Sequence, residues 1–430
     1  MKYVNSGEGK VPLITLIAIL SISLTVNLPG LAISPILGKL DQVFHHVTEL
    51  EVQLLTVLPN LVTIPFILCA GKICSQKNQI FVLGTGLVIY TLTGILYFFA
   101  SSMTELIILS CLLGMGCGLV IPLAASLISQ NFVGEARTKE LGMKSSLSNF
   151  SIIFATLFVG WVAALDWHYS FFVYMVPIIP LVLIPFMTNK YIGKHRIIDS
   201  PASSSTPAEA ATAAKPGVAA PAPAANVNST SPRFTGKKAI LLLVGIMLLY
   251  FLITYATDMV SYYLPFSMEH YHFSTDDVGV ATSLYFAGMT LGGFLLTRVL
   301  AVLRKSTFQI ALLLCIIGLF MVGFLHAYWS FIIGVFLMGF GYGVIQPVFY
   351  DKTSALAPTR QKNTAYFSYL LACNYVGIAV VPFIIGGAEK IFKAQNDPNF
   401  AAIFNGCVLV VMLVVAIIKC KSFVFEAESK

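Results

Sequence analysis

The chain has 430 residues, 57% of them apolar and only 10% charged, with a formal net charge of +7. A soluble domain carries about 25% charged residues, so a surface this poor in charge excludes water as the main solvent and points to a lipid bilayer. The small positive excess gives no reason to expect a nucleic-acid partner.

A hydrocarbon core of about 30 Å takes about 20 apolar residues per helix. Runs of that kind fall at 11–37, 50–71, 79–100, 104–131, 145–165 and 169–189, and again at 239–265, 277–303, 306–326, 329–356, 362–388 and 400–420. We number these segments one to twelve and expect each to be a membrane helix. Segment one outruns the roughly 7–15 apolar residues of a cleaved leader, and a second run follows closely, so it reads as a span. Pro29, Pro35, Pro59 and Pro65 fall in the first two segments, where neighbouring helices can re-satisfy the freed carbonyls.

Positive charge alternates from loop to loop. One set of loops and segment ends holds 23 of the 26 Lys and Arg residues, and the other holds only Lys39, Lys390 and Lys393. The basic side is expected to be cytoplasmic, with both termini there. A missed helix would scramble the alternation, so the split also supports the even count. The eight cysteines fall in segments or at their basic ends, with no CxxC pair and no zinc-like spacing, so neither disulfides nor a metal site are expected. His45, His46, His168, His270, His272 and His326 cluster on the expected outer loops. They read as solvated loop residues, or more sharply as a pH or metal sensor.

Residues 200–233 are rich in Ala, Pro and Ser and have no apolar period, the composition of a flexible tether. This divides the chain into an N-terminal bundle (1–194), a cytoplasmic linker (195–236) and a C-terminal bundle (237–430). The halves repeat each other. Segment four reads Gly114-Met115-Gly116-Cys117-Gly118-Leu119-Val120-Ile121-Pro122, and segment ten reads Gly339-Phe340-Gly341-Tyr342-Gly343-Val344-Ile345-Gln346-Pro347. Three glycines and a proline share one offset, which also relates Arg137 to Lys362 and Asn149 to Asn374. Glycines two apart do not make one face. They thin a helix broadly, so neighbours approach on several sides.

With two parallel halves, a linker and these motifs, the chain resembles the major facilitator superfamily over nearly its whole length outside the linker. Its general pattern is closest to the bacterial drug and metabolite efflux branch. Asp166-Trp167-His168 with Phe171-Phe172 is similar to the family's stretch opening the sixth helix, with His168 where Arg is usual. Gly71-Lys72 ends segment two where the family has a loop motif, here without its Asp and Arg pair. Thr297-Arg298 stands at the matching place in segment eight. Ser110 replaces an Arg common in drug–proton antiporters, and Ala155 to Gly160 lacks the proline of their fifth-helix signature. The resemblance implies an all-α integral membrane fold of twelve helices in two pseudo-symmetric six-helix bundles, usually monomeric. It also implies a substrate cavity lined by the first and seventh helices.

Ionisable groups inside a membrane are functional candidates by default. Asp258 in segment seven is the clearest, as carrier of a coupling proton or partner of a cationic substrate. The competing reading places it hydrated at the outer interface, about 27 Å along its helix at 1.5 Å per residue. Asp351 has Lys352 and Arg360 near enough in sequence to pair with it, at a gate or at the surface. Gly71, Lys72 and Arg298 are the other gating candidates. No Lys or Arg is expected near the midplane, which argues against a dedicated phosphate exchanger. Candidate cavity residues are Asn27, Asn149, Tyr255, Tyr262, Tyr285, Gln346, Tyr350, Tyr366, Tyr369 and Asn374, set among Phe and Leu in a pattern that suits an amphipathic organic substrate.

No Walker sequence, hydrolase elbow or dinucleotide fingerprint is present, so neither an enzyme nor a cofactor is expected. The sequence therefore points to a secondary transporter in the bacterial inner membrane, exporting a small organic solute in exchange for protons or another ion. Metabolite uptake by symport or facilitated diffusion is the alternative, and a transporter-like sensor or membrane enzyme is the alternative of another class.

Overall fold

The computed structural model describes residues 2–32, 49–74, 78–163, 166–196, 237–273, 275–359, 362–394 and 397–419. Lys39, His45, His46, Arg360, Cys420 and nearly all of the expected linker lie outside these ranges. Among the described residues the fold is all-α apart from one small hairpin near the N-terminus.

Ten helical stretches among the described residues are long and apolar enough to cross a membrane. Segments five and eight explain the difference from the twelve expected. Segment five is a single 30-residue helix, Gly134–Ala163, whose first third carries Glu135, Arg137, Lys139 and Glu140. Segment eight is Thr275–Phe294 followed by Leu296–Leu303, the latter running on toward segment nine, Thr307–Phe324. These two helices pack on each other between the halves, where lower hydropathy is tolerated. A Cβ on Gly142 would lie 2.7 Å from the Gly293 carbonyl oxygen, and one on Gly293 would lie 2.9 Å from that of Gly142.

The paired glycine runs act as anticipated, each serving two neighbours. A Cβ on Gly114 would come 2.5 Å from the Pro59 carbonyl oxygen and one on Gly118 2.7 Å from that of Thr63, both in segment two. One on Gly116 would come 2.9 Å from the Tyr90 nitrogen in segment three. In the second half, Gly339 and Gly343 press on the backbone of Tyr285 and Met289 in segment eight, and Gly341 presses on Ala311 in segment nine. The runs thus set how closely the cavity-lining helices approach the core.

Segment one is broken. Helix Leu13–Ser23 stops, residues 24–27 form a turn, and Leu28–Leu31 resumes. Broken backbone at membrane depth needs partners for its freed carbonyls, and five other segments supply them. The Ser148 hydroxyl donates to the Ser23 carbonyl at 2.8 Å and Tyr90 to that of Thr25 at 3.2 Å. Cys117 and Tyr375 reach the Val26 carbonyl at 3.7 and 3.5 Å, and Tyr174 reaches that of Pro29 at 3.2 Å. Tyr375 belongs to the other half, so the break is also a point of contact between halves. Segment seven is interrupted similarly, with helix Lys237–Thr257 ending at Asp258 before Met259–Tyr262.

The N-terminal hairpin was not anticipated. Tyr3–Asn5 pairs antiparallel with Lys10–Pro12, with Val4 opposite Val11. Its turn needs Gly7, which has φ of 89° and sits against the Val133 carbonyl. The Val133 amide donates to the Ser6 carbonyl at 2.8 Å. This braces the connection between segments four and five. The seven described cysteines are free.

Candidate functional site

A cavity of about 860 Å³ lies between the halves, walled by residues from segments one, two, four, five, seven, eight, ten and eleven. Most of its wall is apolar, including Ile64, Ile121, Ile152, Phe286, Met289 and Leu371. Two polar groups of contacts interrupt that wall. In one, Thr254 donates to Asn374 Oδ1 at 2.9 Å, and Tyr342 lies 2.9 Å from Thr254 and 3.2 Å from the same Asn374 oxygen. In the other, Ser145 donates to Gln346 Oε1, Gln346 Nε2 donates to Tyr250 at 3.1 Å, and Tyr250 lies 3.3 Å from the Tyr350 hydroxyl.

Helix Gly134–Ala163 turns Lys144, Ser148, Asn149 and Ile152 to the cavity, the spacing of one helical face. Lys144 is only 2% exposed. Its Nζ sits 4.6 Å from the centroid of the Tyr350 ring. Burying an ammonium costs several kcal/mol, and a desolvated cation–π contact returns about 2 kcal/mol. The ring alone does not balance the charge.

The expected absence of a cavity cation is therefore corrected. Segment five was drawn from residue 145, whereas its helix starts at Gly134. Lys144 stands ten residues in, about 15 Å along the axis at 1.5 Å per residue. A polar run precedes the apolar one here, so hydropathy alone assigns this residue to the loop.

Eight of the cavity candidates or coupling candidates line the cavity: Asn27, Asn149, Asp258, Tyr262, Tyr285, Gln346, Tyr350 and Asn374. Asn27 donates to Asn149 Oδ1 at 3.3 Å. Asp258 is part-buried at the break in segment seven, its amide bonded to the Thr254 carbonyl at 2.8 Å. Tyr255 is buried behind the wall, its hydroxyl without a hydrogen-bond partner among the described residues. Tyr366 and Tyr369 lie off the cavity, and Tyr369 is 47% exposed. Their spacing to Asn374 predicts a shared face, but Tyr366 is half-buried against the core and Tyr369 turns outward. Lys144, Thr254, Tyr342 and Tyr375 line the cavity without having been singled out. Tyr342, inside the glycine run, had its signal masked by the glycines.

Asp351 is held by Arg137, with Nε to Oδ1 at 2.7 Å. The partners expected for it, Lys352 and Arg360, are its chain neighbours. The structure shows a cation from the other half on Asp351, presented by Arg137 from the first turn of its helix, while Arg360 lies outside the described residues. Arg137 also reaches Ser354 at 3.4 Å. Nearby, Ser126 and Thr364 hydroxyls are 2.6 Å apart, and Ser146 donates to the Thr290 carbonyl at 2.8 Å. A Cβ on Gly71 would stand 2.6 Å from Ser368 Oγ. These contacts all join the two halves, toward the end bearing the basic loops. Lys72 and Arg298 are exposed near the same end. Ser110, at the place of the antiporters' Arg, is buried and lies 2.7 Å from the Tyr97 hydroxyl.

The sequence model of the Major Facilitator Superfamily matches residues 13–382 and again 246–423. The chain belongs to this superfamily. The fold agrees with it. The human organic anion transporter MFSD10 superposes with a TM-score of 0.68 at 13% identity, covering 94% of this chain and 97% of that one. The proton:xylose symporter XylE gives 0.68 at 16% identity over 97% and 96%. FucP in an outward conformation gives 0.65 at 14% identity over 94% and 98%. At such identities the superfamily likeness is one of fold. Among curated proteins, the multidrug transporter protein MdtP of Bacillus subtilis (strain 168) is 31% identical over 117 residues. That match spans 27% of this chain and 22% of MdtP.

Proposed function

We propose that this superfamily member exports a small organic solute by alternating access, in exchange for protons taken up and released at Asp258. The observation that carries the reading is one apolar-walled cavity shared by both halves, with cross-half contacts gathered at one end. Such a site between two bundles is what rocking exposes to each side in turn. The loop-charge split supports placing the contacted end in the cytoplasm, so the conformation is outward-facing. It likewise supports placing both termini and the linker inside a bacterial inner membrane, with twelve crossings. The cavity is enclosed by one chain, which supports a monomeric unit. The MdtP likeness, though short, favours export of an organic substrate over uptake.

The test is proton movement in proteoliposomes carrying a trapped pH dye. A solute screen is added outside, and a substrate should drive protons in the opposite sense. Movement in the same sense would replace export by symport. Ligand-induced thermal stabilisation with no flux of any solute would favour a sensor built on the transporter fold.

The Arg137–Asp351 pair is expected to hold the cytoplasmic end shut. Its side chains are only 14% and 9% exposed. Removing one partner of a buried pair costs about 3–5 kcal/mol, and every 1.4 kcal/mol is about tenfold in an equilibrium. Asp351→Asn should therefore raise maleimide labelling of a cysteine placed at Ser126, from the cytoplasmic side, by about tenfold or more. The exchanged pair Arg137→Asp with Asp351→Arg should return the rate toward wild type. Unchanged labelling in Asp351→Asn would remove the gate role.

A further inference from the structure

We propose that the cargo is an organic anion, a monocarboxylate on an apolar body, whose charged end seats against Lys144. The identity of cargo rests on the transport reading above, while the anion seat stands on the geometry of the cavity alone.

Lys144 lines the cavity yet is almost wholly shielded from solvent. Among the described residues, no carboxylate lies within ion-pair distance of it. Asp351, the acid on segment ten, is engaged by Arg137. Asp258 lies on the wall at the break in segment seven. What faces Lys144 is the Tyr350 ring, whose quadrupole attracts a cation but supplies no counter-charge.

A second observation is independent of the charge. Asn149 lies on the same helix and is buried at the cavity wall, and among the described residues its Nδ2 has no hydrogen-bond partner. A buried donor of this kind is costly to leave unmatched. The ammonium is a charged donor at the wall and the Asn149 amide a second unmatched donor on the same helix, and both call for acceptors. A carboxylate offers two acceptor oxygens and one negative charge. The rest of the wall fixes the remainder of the ligand: Ile64, Ile121, Ile152 and Leu371 match an apolar body.

The seat discriminates among anions. A phosphate monoester is matched by the planar fork of Arg or by several cations, and among the described residues the cavity lining offers one Lys and no Arg. Asp258 on the wall also repels a second negative charge.

The experiment uses the purified full chain and three probes on one phenylalkyl body: 4-phenylbutyrate, its isosteric primary amide and 4-phenylbutylamine. Affinity is read from thermal stabilisation against probe concentration. The carboxylate should bind wild type at least about tenfold more tightly than the amide, a difference of about 1.4 kcal/mol. Lys144→Met should lower the carboxylate to the amide's affinity, and Lys144→Arg should retain the preference. Should Lys144→Met not fold, Asn149→Asp gives the second arm: a negative charge beside the seat should weaken the carboxylate by more than the amide, so that the preference for the carboxylate is lost. Equal affinities in wild type, no binding of the carboxylate, preference for the amine, or a folded Lys144→Met that keeps the preference would each overturn the proposal.

The two readings fail separately. Lys144-dependent carboxylate binding without proton movement in proteoliposomes would leave the seat standing and remove the transport reading. Proton-coupled flux of neutral or cationic solutes, with no carboxylate preference, would do the reverse.

Discussion

Asp258→Asn should abolish solute accumulation driven by a pH gradient while leaving solute–solute exchange intact. The substitution keeps the shape of the side chain and removes its ability to ionise. Asp258 sits where the helix Lys237–Thr257 gives way to Met259–Tyr262, on the wall of the cavity. On that wall it can meet protons entering the cavity, which the proposed carrier role requires. A gradient of about two pH units supplies about 2.7 kcal/mol per proton, or about a hundredfold accumulation for one-for-one exchange. In the variant the ratio should fall to about one. Counterflow, which needs only that the loaded protein reorient, should persist. Accumulation at the wild-type ratio would take the proton role away from Asp258. Loss of both activities would make the residue one of binding or structure.

The repeat, the helix positions and the family were legible in the sequence because lipid imposes long apolar runs and because glycine spacing survives as a literal pattern. Gly114, Gly116 and Gly118 announced close packing on several sides, and the structure assigns each its neighbour in segment two or three. Asn27, Tyr285 and Asn374 could be nominated for the cavity because polar groups within apolar runs are few.

What failed to show was set by relations across the chain. Asp351 had cations as sequence neighbours, but its partner is 214 positions away. Lys144 looked like a loop charge because hydropathy averages over a window, whereas one helical face of Gly134–Ala163 is buried between the halves. Tyr366 and Tyr369 carry the same chemistry as Tyr350, and only the rotation of their helix separates wall from surroundings. The N-terminal hairpin rests on Gly7 meeting Val133, a contact that no local pattern encodes.

Gly339→Ala should destabilise the protein although it adds one carbon to a helix. In a helix interior, Ala is favoured over Gly by about 1 kcal/mol, so the change would stabilise an unpacked site. At Gly339 the new Cβ meets the Tyr285 backbone, with Cα at 3.2 Å and the carbonyl oxygen closer still. The obstacle is main chain, which cannot rotate away as a side-chain tip can. Overpacking of this kind costs about 1–3 kcal/mol, which exceeds the propensity gain. Gly245 supplies the control, since a Cβ there meets nothing within 4 Å, and Gly245→Ala should leave the melting temperature unchanged or raised. The effect on binding should follow the effect on stability. Segment eight carries Tyr285, Phe286 and Met289 into the cavity wall, so pushing its backbone outward moves three wall residues together. Purified Gly339→Ala should therefore melt several degrees below wild type and lose ligand-induced stabilisation. A melting temperature equal to wild type would mean that segments eight and ten are spaced by something other than this glycine. The glycine runs would then be a sequence repeat without the packing role assigned to them.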